Sequence, residues 1–270
     1  MLNGFSDEQI VSFLGMHNIW GKRACREILK RKDDFIPLLL GVLDQVITNP
    51  DQFSCIKNSQ HIPAAVLLSQ MRVGGAYRRL ISLLSFDDKT IEQLWRYFLV
   101  PLYPFFLRDT YSGEAFLLFN LLENRSVSPL SRSMAVNALS MHYLDGHVSR
   151  DEIAGCFRHL IRDVYTGELD NGVELIIGSV VARLRDYHFA ELTDDVRDLY
   201  QRSDFFQKTF GNIEELITEL NSPGIFSNEE HLDDTIQILE IWSWFNEEEY
   251  LIKLDILDDP HTYEKNSSSY

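Results

Sequence analysis

Glu152, Cys156, His159 and Asp163 stand at i, i+4, i+7 and i+11, a spacing that lines one stripe of an α-helix. Two carboxylates, a thiol and an imidazole are residue types that ligate transition metals. Cys156 with His159 or His142 is also a pair from which an activated thiolate can be made. Several features weigh against both chemistries. HExxH and paired-cysteine spacings are absent. Neighbours on one helix rarely reach the in-line geometry of nucleophile and base, and no GxSxG-like elbow or glycine-rich loop is present. The bland reading is that these residues flank a buried stripe, so no catalytic residue and no cofactor is assigned. Asp194, Asp195 and Asp198 resemble paired carboxylates for acid–base work. They open a helix, however, where acids meet the positive end of its dipole.

The element that must position the stripe is a two-helix unit over residues 129–165. Pro129 opens its first helix, since the first helical N–H has no partner anyway. Met134, Ala135, Ala138 and Met141 recur at helical spacing, widened by Leu139 and His142, and Gly146 suits the stop. Ser149 and Glu152 form a capping box for the second helix, with Val148 and Ile153 placed as its hydrophobic staple. Ile153, Phe157, Leu160 and Val164 then make one apolar stripe. A single such pair cannot bury both its faces, so it calls for stacked neighbours.

Similar pairs begin near residues 61, 91, 130 and 172. The spacing of roughly 30 to 42 residues fits two-helix HEAT-like repeats better than a strict tetratricopeptide period. Ser6 and Gln9 make a further capping box, with Phe5 and Ile10 as its staple. A basic helix covers 22–32, and Asp33 or Asp34 caps the next. Thr90 with Gln93 reads as another capping box, Pro101 and Pro104 interrupt or kink the helix that follows, and Ser112 caps the one after. Trp95, Tyr97, Tyr103, Phe105 and Phe106 read as core. Pro223-Gly224 is the clearest internal boundary, after which Ser227 and Glu230 cap an acidic helix bearing Leu232, Ile236, Leu239, Trp242 and Phe245. The stretch 250–256 is an isolated candidate strand without a partner.

The formal net charge of −16 disfavours a nucleic-acid backbone as partner. From Asn228 onward there are 12 acidic and 2 basic residues, so −10 of the total sits in the last stretch. The one basic cluster, Lys22, Arg23, Arg26, Lys30, Arg31 and Lys32, reads as a solvated helix face. Cys25, Cys55 and Cys156 are odd in number and widely spaced, which points away from a disulfide framework. The opening MLNGFSDEQI lacks a basic region followed by an apolar core, and no apolar run reaches membrane-spanning length. The expectation is therefore a cytoplasmic protein.

The stretches LKRKDDFIPLLLGVLDQV (29–46), IPAAVLLSQMRVGGAYRRLISLLS (62–85) and SMAVNALSMHYLDGHVSRDEIAGCFRHLI (133–161) resemble an uncharacterised, mainly bacterial family, a domain of unknown function with HEAT-like repeats. The resemblance covers about residues 20–220 and rests on apolar repeat positions and the GxxSRDE-like helix start. It implies a fold and no activity. Many members carry a C-terminal zinc motif of the SEC-C type. This chain has no cysteine after Cys156, so that motif is absent, and an acidic, tryptophan-bearing segment stands in its place.

The expected fold is all-α, a HEAT-like α-solenoid of antiparallel helix pairs over 1–222, with an acidic capping helix over 225–257 and a disordered tail over 258–270. The expected role is an interaction scaffold whose concave face binds a protein or peptide, with a basic partner drawn by the acidic C-terminus. Neither nucleic acid nor membrane is an expected partner, and oligomerisation through the edges of the stack is compatible with the role. The contact residues would be Arg78, Arg79, Arg158, His159, Arg162 and Asp163. Trp242 and Trp244 either seal the stack or bind a partner. The alternative is an enzyme or metal-binding protein centred on Glu152, Cys156, His159 and Asp163.

Overall fold

All regular structure among the described residues is helical, and no strand occurs there. The structure, a computed structural model, describes residues 2, 4–96, 99–163, 172–202, 204–222, 231–246 and 248–250. The chain divides into two compact units. The first comprises Met1–Leu83, Lys89–Ser112 and His231–Tyr270; the second comprises Leu84–Asp88 and Gly113–Glu230.

The first unit begins with α1 (Asp7–Ser12), α2 (Ile19–Lys30) and α3 (Lys32–Thr48). Ser6 and Gln9 close the capping box on α1. The Phe5 ring packs edge-on against Phe13 and Trp20. Asp33 and Asp34 lie in the first turn of α3 rather than capping it. α4 (His61–Gln70) is buried from His61 to Ser69, so its apolar run HIPAAVLL has no solvent face. It packs against α3 and against α7 (Leu99–Asp109).

α5 (Tyr77–Leu84) and α6 (Asp88–Trp95) precede α7. α6 starts two residues before Thr90, so Thr90 is inside the helix, and Gln93 Nε2 donates to Phe53 O at 2.6 Å rather than closing a box. Pro104 sits within α7 without ending it. Trp95, Tyr103 and Phe106 are fully buried, with the Tyr103 hydroxyl donating to Leu80 O at 2.8 Å, while Phe105 is half-buried. Tyr97 lies outside the described residues.

The second unit holds α8 (Phe116–Glu123), α9 (Pro129–Leu144), α10 (Arg150–Asp163), α11 (Val173–Asp186), α12 (Thr193–Arg202), α13 (Asp204–Phe210) and α14 (Ile213–Leu220). Ser128 caps α9 ahead of Pro129, accepting from Leu130 N and Ser131 N. Ser112 does not cap α8, which starts at Phe116 with Ala115 before it. α9 is the centre of this unit, packed on α11 and α8, and its small residues Ala135, Ala138 and Ser140 are fully buried. α10 lies against α12. The Ser149–Glu152 box is present in both directions: Ser149 N donates to Glu152 Oε2 at 2.8 Å, and Glu152 N to Ser149 Oγ at 3.3 Å. Gly172 takes φ +96° at the start of α11, where a Cβ would stand 2.8 Å from the Pro129 side chain.

The described part of the acidic C-terminal segment belongs to the first unit. The Pro223-Gly224 boundary and the Ser227–Glu230 cap lie outside the described residues, as does 251–270 with most of the candidate strand. α15 (Thr235–Ile241) is capped by Asp234 and packs on α4 and α2. Thr235 donates through N and Oγ1 to Gln70 Oε1, and Leu232 N donates to the buried Asp109 carboxylate at 3.0 Å. The indole N–H of Trp244 donates to Leu14 O at 3.3 Å, and the Tyr250 hydroxyl donates to Cys55 O at 2.6 Å. His17 fits between these two rings, 4.2 Å from Tyr250 and 4.3 Å from Trp244. No helix among the described residues is long and apolar enough to cross a membrane.

Candidate functional site

Three of the four residues on the α10 stripe line one open pocket of ≈ 410 Å³ in the second unit. Glu152, Cys156 and His159 enter it with Gly155 and Leu160 of α10, and α8 supplies Phe119, Leu122 and Glu123 opposite. The Asp163 side chain lies outside the described residues. Leu122 and Leu160 are buried and Phe119 is half-buried, so they form an apolar floor; Glu123, Glu152 and His159 are exposed at the rim. Both acids come from helix faces that the apolar residues anchor, which holds the carboxylates over a greasy trough.

The lining sets apolar carbon beside two carboxylates, a thiol and an imidazole. Burial, reinforced by the negative charge of Glu123, pushes the Cys156 thiol from 9.0 up to about 12. A thiol held protonated at neutral pH is a poor nucleophile. Burial first, and the charge of Glu123 second, weigh against the Cys/His reading of the stripe. Glu152 is held below its usual range by the Ser149 hydroxyl and N–H, so it stays ionised, with Oε2 occupied by the cap. His142 is fully buried on α9, away from the α8–α10 pocket lining. Among the described residues no group of three His, Cys, Asp or Glu side chains could hold a metal ion.

Iodoacetamide at pH 8 is therefore expected to modify Cys156 more slowly, by about 30-fold or more, than a free thiol of pKa 9, the scarcer thiolate being partly offset by its greater basicity, read by intact mass in the native protein. Labelling at the free-thiol rate would restore the nucleophile reading.

The arginines that spacing placed on the same surface pair with a carboxylate of α12. Arg158 Nε and Arg162 Nε both reach the Asp195 carboxylate of α12, at 3.2 and 3.1 Å, and that carboxylate side chain is only 12 % exposed. Asp195 thus clasps α10 to α12 as well as opening α12. Arg150 was not anticipated as a positioning residue. Its guanidinium chelates Glu191 at 2.8 and 3.0 Å, donates to His188 O at 2.6 Å and lies over the Phe189 ring at 4.4 Å. In the first unit Arg79 pairs bidentately with Asp44, while Arg78 is exposed beside it on α5. Trp242 is half-buried, and Trp244 is fully buried in the core, where it offers a partner no surface.

Sequence reasoning missed the α8 half of the groove. Phe119 and Glu123 stand at i and i+4 on FLLFNLLE, but nothing local marks which helix α8 will face. A family model described as "Protein of unknown function (DUF1186)" matches residues 8–246. No curated protein and no solved structure matches.

Proposed function

The chain belongs to that family of unknown function, and we propose that it acts as an interaction module whose α8–α10 groove takes a basic protein segment. An apolar side chain of the segment would seat between Phe119, Leu122 and Leu160, with a lysine or arginine meeting Glu123 and Glu152. The observation that carries this reading is the lining itself: an apolar floor under two exposed carboxylates, with no lysine or arginine among the lining residues. Apolar burial supplies the affinity, and the carboxylates select the sign of the partner. The overall charge of −16 adds long-range attraction for a cationic segment. Burial holds the Cys156 thiol protonated at neutral pH, which suits a contact role in the trough.

In this reading the second unit is a stack of HEAT-like helix pairs and the scaffold works in the cytoplasm. Support for the stack comes from contacts that skip one helix, α9 with α11 and α10 with α12, as expected when equivalent members of successive pairs lie side by side. Of the proposed contact residues on α10, His159 keeps its place at the rim, whereas Arg158 and Arg162 serve the clasp to Asp195.

Gly155 provides the test. It lies in the groove on α10, and a Cβ there meets nothing within 4 Å. A Gly155→Trp chain should keep its fold, because glycine is a poor helix former, and should fill the trough. A random peptide display library is selected in parallel on the wild-type chain and on Gly155→Trp. Peptides lost on the filled variant should be rich in Lys or Arg beside a large apolar residue, and Glu123→Lys should weaken them about tenfold or more. Selections that come out identical on the open and filled grooves would overturn the reading.

A further inference from the structure

The first unit carries a second surface of opposite sign, on the basic helix that sequence alone reads as merely solvated. Phe5, Met16, Ile19 and Trp20 are 41, 39, 51 and 39 % exposed, half of the large hydrophobics left open among the described residues. They are not scattered. The Phe5 and Trp20 rings lie 6.2 Å apart, each packed on Phe13 at 5.1 and 5.9 Å, while Met16 and Ile19 flank the turn that leads into α2. That turn is tight: a Cβ on Gly21 would stand 2.2 Å from Met16 O. The aromatic group is therefore held in place before any partner arrives.

Next to it runs a cationic stripe. Arg23 lies over the Trp20 ring at 5.2 Å, and Arg26 and Lys30 continue along the exposed side of α2. The cations on either side are already spent, Lys22 on Glu240 and Arg31 on Asp7 and Asp34. Arg23, Arg26 and Lys30 have no carboxylate within ion-pair distance among the described residues, and Glu27 is the one acid on the helix. Exposed Trp, Phe and Arg, rigidly packed and adjacent, form the composition that dominates binding energy at protein interfaces.

We infer that Phe5, Trp20, Arg23 and Arg26 form a docking surface for an acidic protein segment that carries a large apolar side chain. Charge complementarity sets the occupant, with the apolar side chain packing on the aromatic group and its acids facing Arg23, Arg26 and Lys30. A phosphate backbone or an anionic bilayer would also meet these cations, but each extends far beyond the stripe and meets the repulsion of a chain at −16. A short segment escapes most of that penalty. This surface is independent of the α8–α10 groove.

The same peptide display library is selected on the full chain, on Trp20→Ala and on Arg23→Glu/Arg26→Glu, with helicity and thermal midpoints recorded for each. The double charge variant touches only exposed side chains, so it keeps the test valid should Trp20→Ala loosen the aromatic group. Expected are Asp- and Glu-rich peptides bearing a large apolar residue, whose Kd by fluorescence anisotropy rises about tenfold or more in the double variant and is unchanged in Gly155→Trp. The inference is overturned by peptides indifferent to the charge reversal, by recovery of basic peptides alone, or by wild-type protein that ignores the peptides and instead sediments with phosphatidylserine vesicles or shifts a single-stranded oligonucleotide in an Arg23-dependent way.

Discussion

Trp244→Ala is expected to lower stability by about 3–5 kcal/mol, the cost of emptying a fully buried tryptophan site. The residue lies in the acidic C-terminal segment, where composition alone suggests a surface element. Its indole is enclosed instead by His17 and Tyr250 and hydrogen-bonded to Leu14 O. Removing it leaves that carbonyl unpaired and opens a cavity against the first helices of the chain. The thermal midpoint of the first unit should fall by roughly 10 °C, at the few degrees per kcal/mol usual for a chain of this size. Trp242→Ala is the control. That ring is half-buried, and its loss should cost about 1 kcal/mol. Equal midpoints for Trp244→Ala and the parent chain would mean that the segment does not dock as described.

The second large effect is acid sensitivity. His17 and His61 are desolvated by burial, which lowers both from 6.5 to about 4, although a backbone partner of each pulls the other way. In the unfolded chain both imidazoles take a proton near pH 6.5, whereas the folded chain holds them neutral down to about 4. The unfolded state therefore binds more protons between these values, and stability falls as pH drops through that window and levels off below it. Above pH 6.5 the contribution is fully present. Each histidine should account for about 3 kcal/mol of the fall, an order-of-magnitude figure. Urea unfolding at a series of pH values checks it. His61→Gln, which can still donate towards Leu94 O, should flatten the slope by about half whatever its effect on absolute stability. An unchanged slope in both His61→Gln and His17→Gln would show that neither imidazole is held neutral.

Local signals in the sequence carried far, and their failures have a common cause. The Ser6–Gln9 and Ser149–Glu152 boxes and the start at Pro129 are satisfied within three or four residues, so neighbouring residues suffice to read them. Thr90 and Ser112 fit the same templates and fail. α6 begins at Asp88, before Thr90, and α8 at Phe116, well after Ser112. Half of the candidate groove was legible as the α10 stripe. The other half arrives with Phe119 and Glu123 from a helix whose facing no local pattern fixes. The pairing of Arg158 and Arg162 with Asp195 was not legible because Asp195 is more than thirty residues away in sequence. The placement of Trp244 likewise depends on Leu14 and His17, at the far end of the chain.

The division of the chain also constrains how it is made. The first unit is assembled from residues 1–83 and 89–112 together with the segment from His231, and residues 113–230 of the second unit are interposed. A ribosome emits the N-terminal helices first but cannot deliver Trp244 or Tyr250 until the whole interposed unit has been synthesised. At bacterial-to-eukaryotic elongation speeds of about 5–20 residues per second, the delay is roughly 6–24 s. Throughout it the site around Leu14, His17 and Cys55 stays uncovered on the nascent chain. The second unit, continuous from Gly113, can fold in the meantime. Closure of the first unit therefore waits on delivery of the segment from His231, whatever the second unit has done in the meantime.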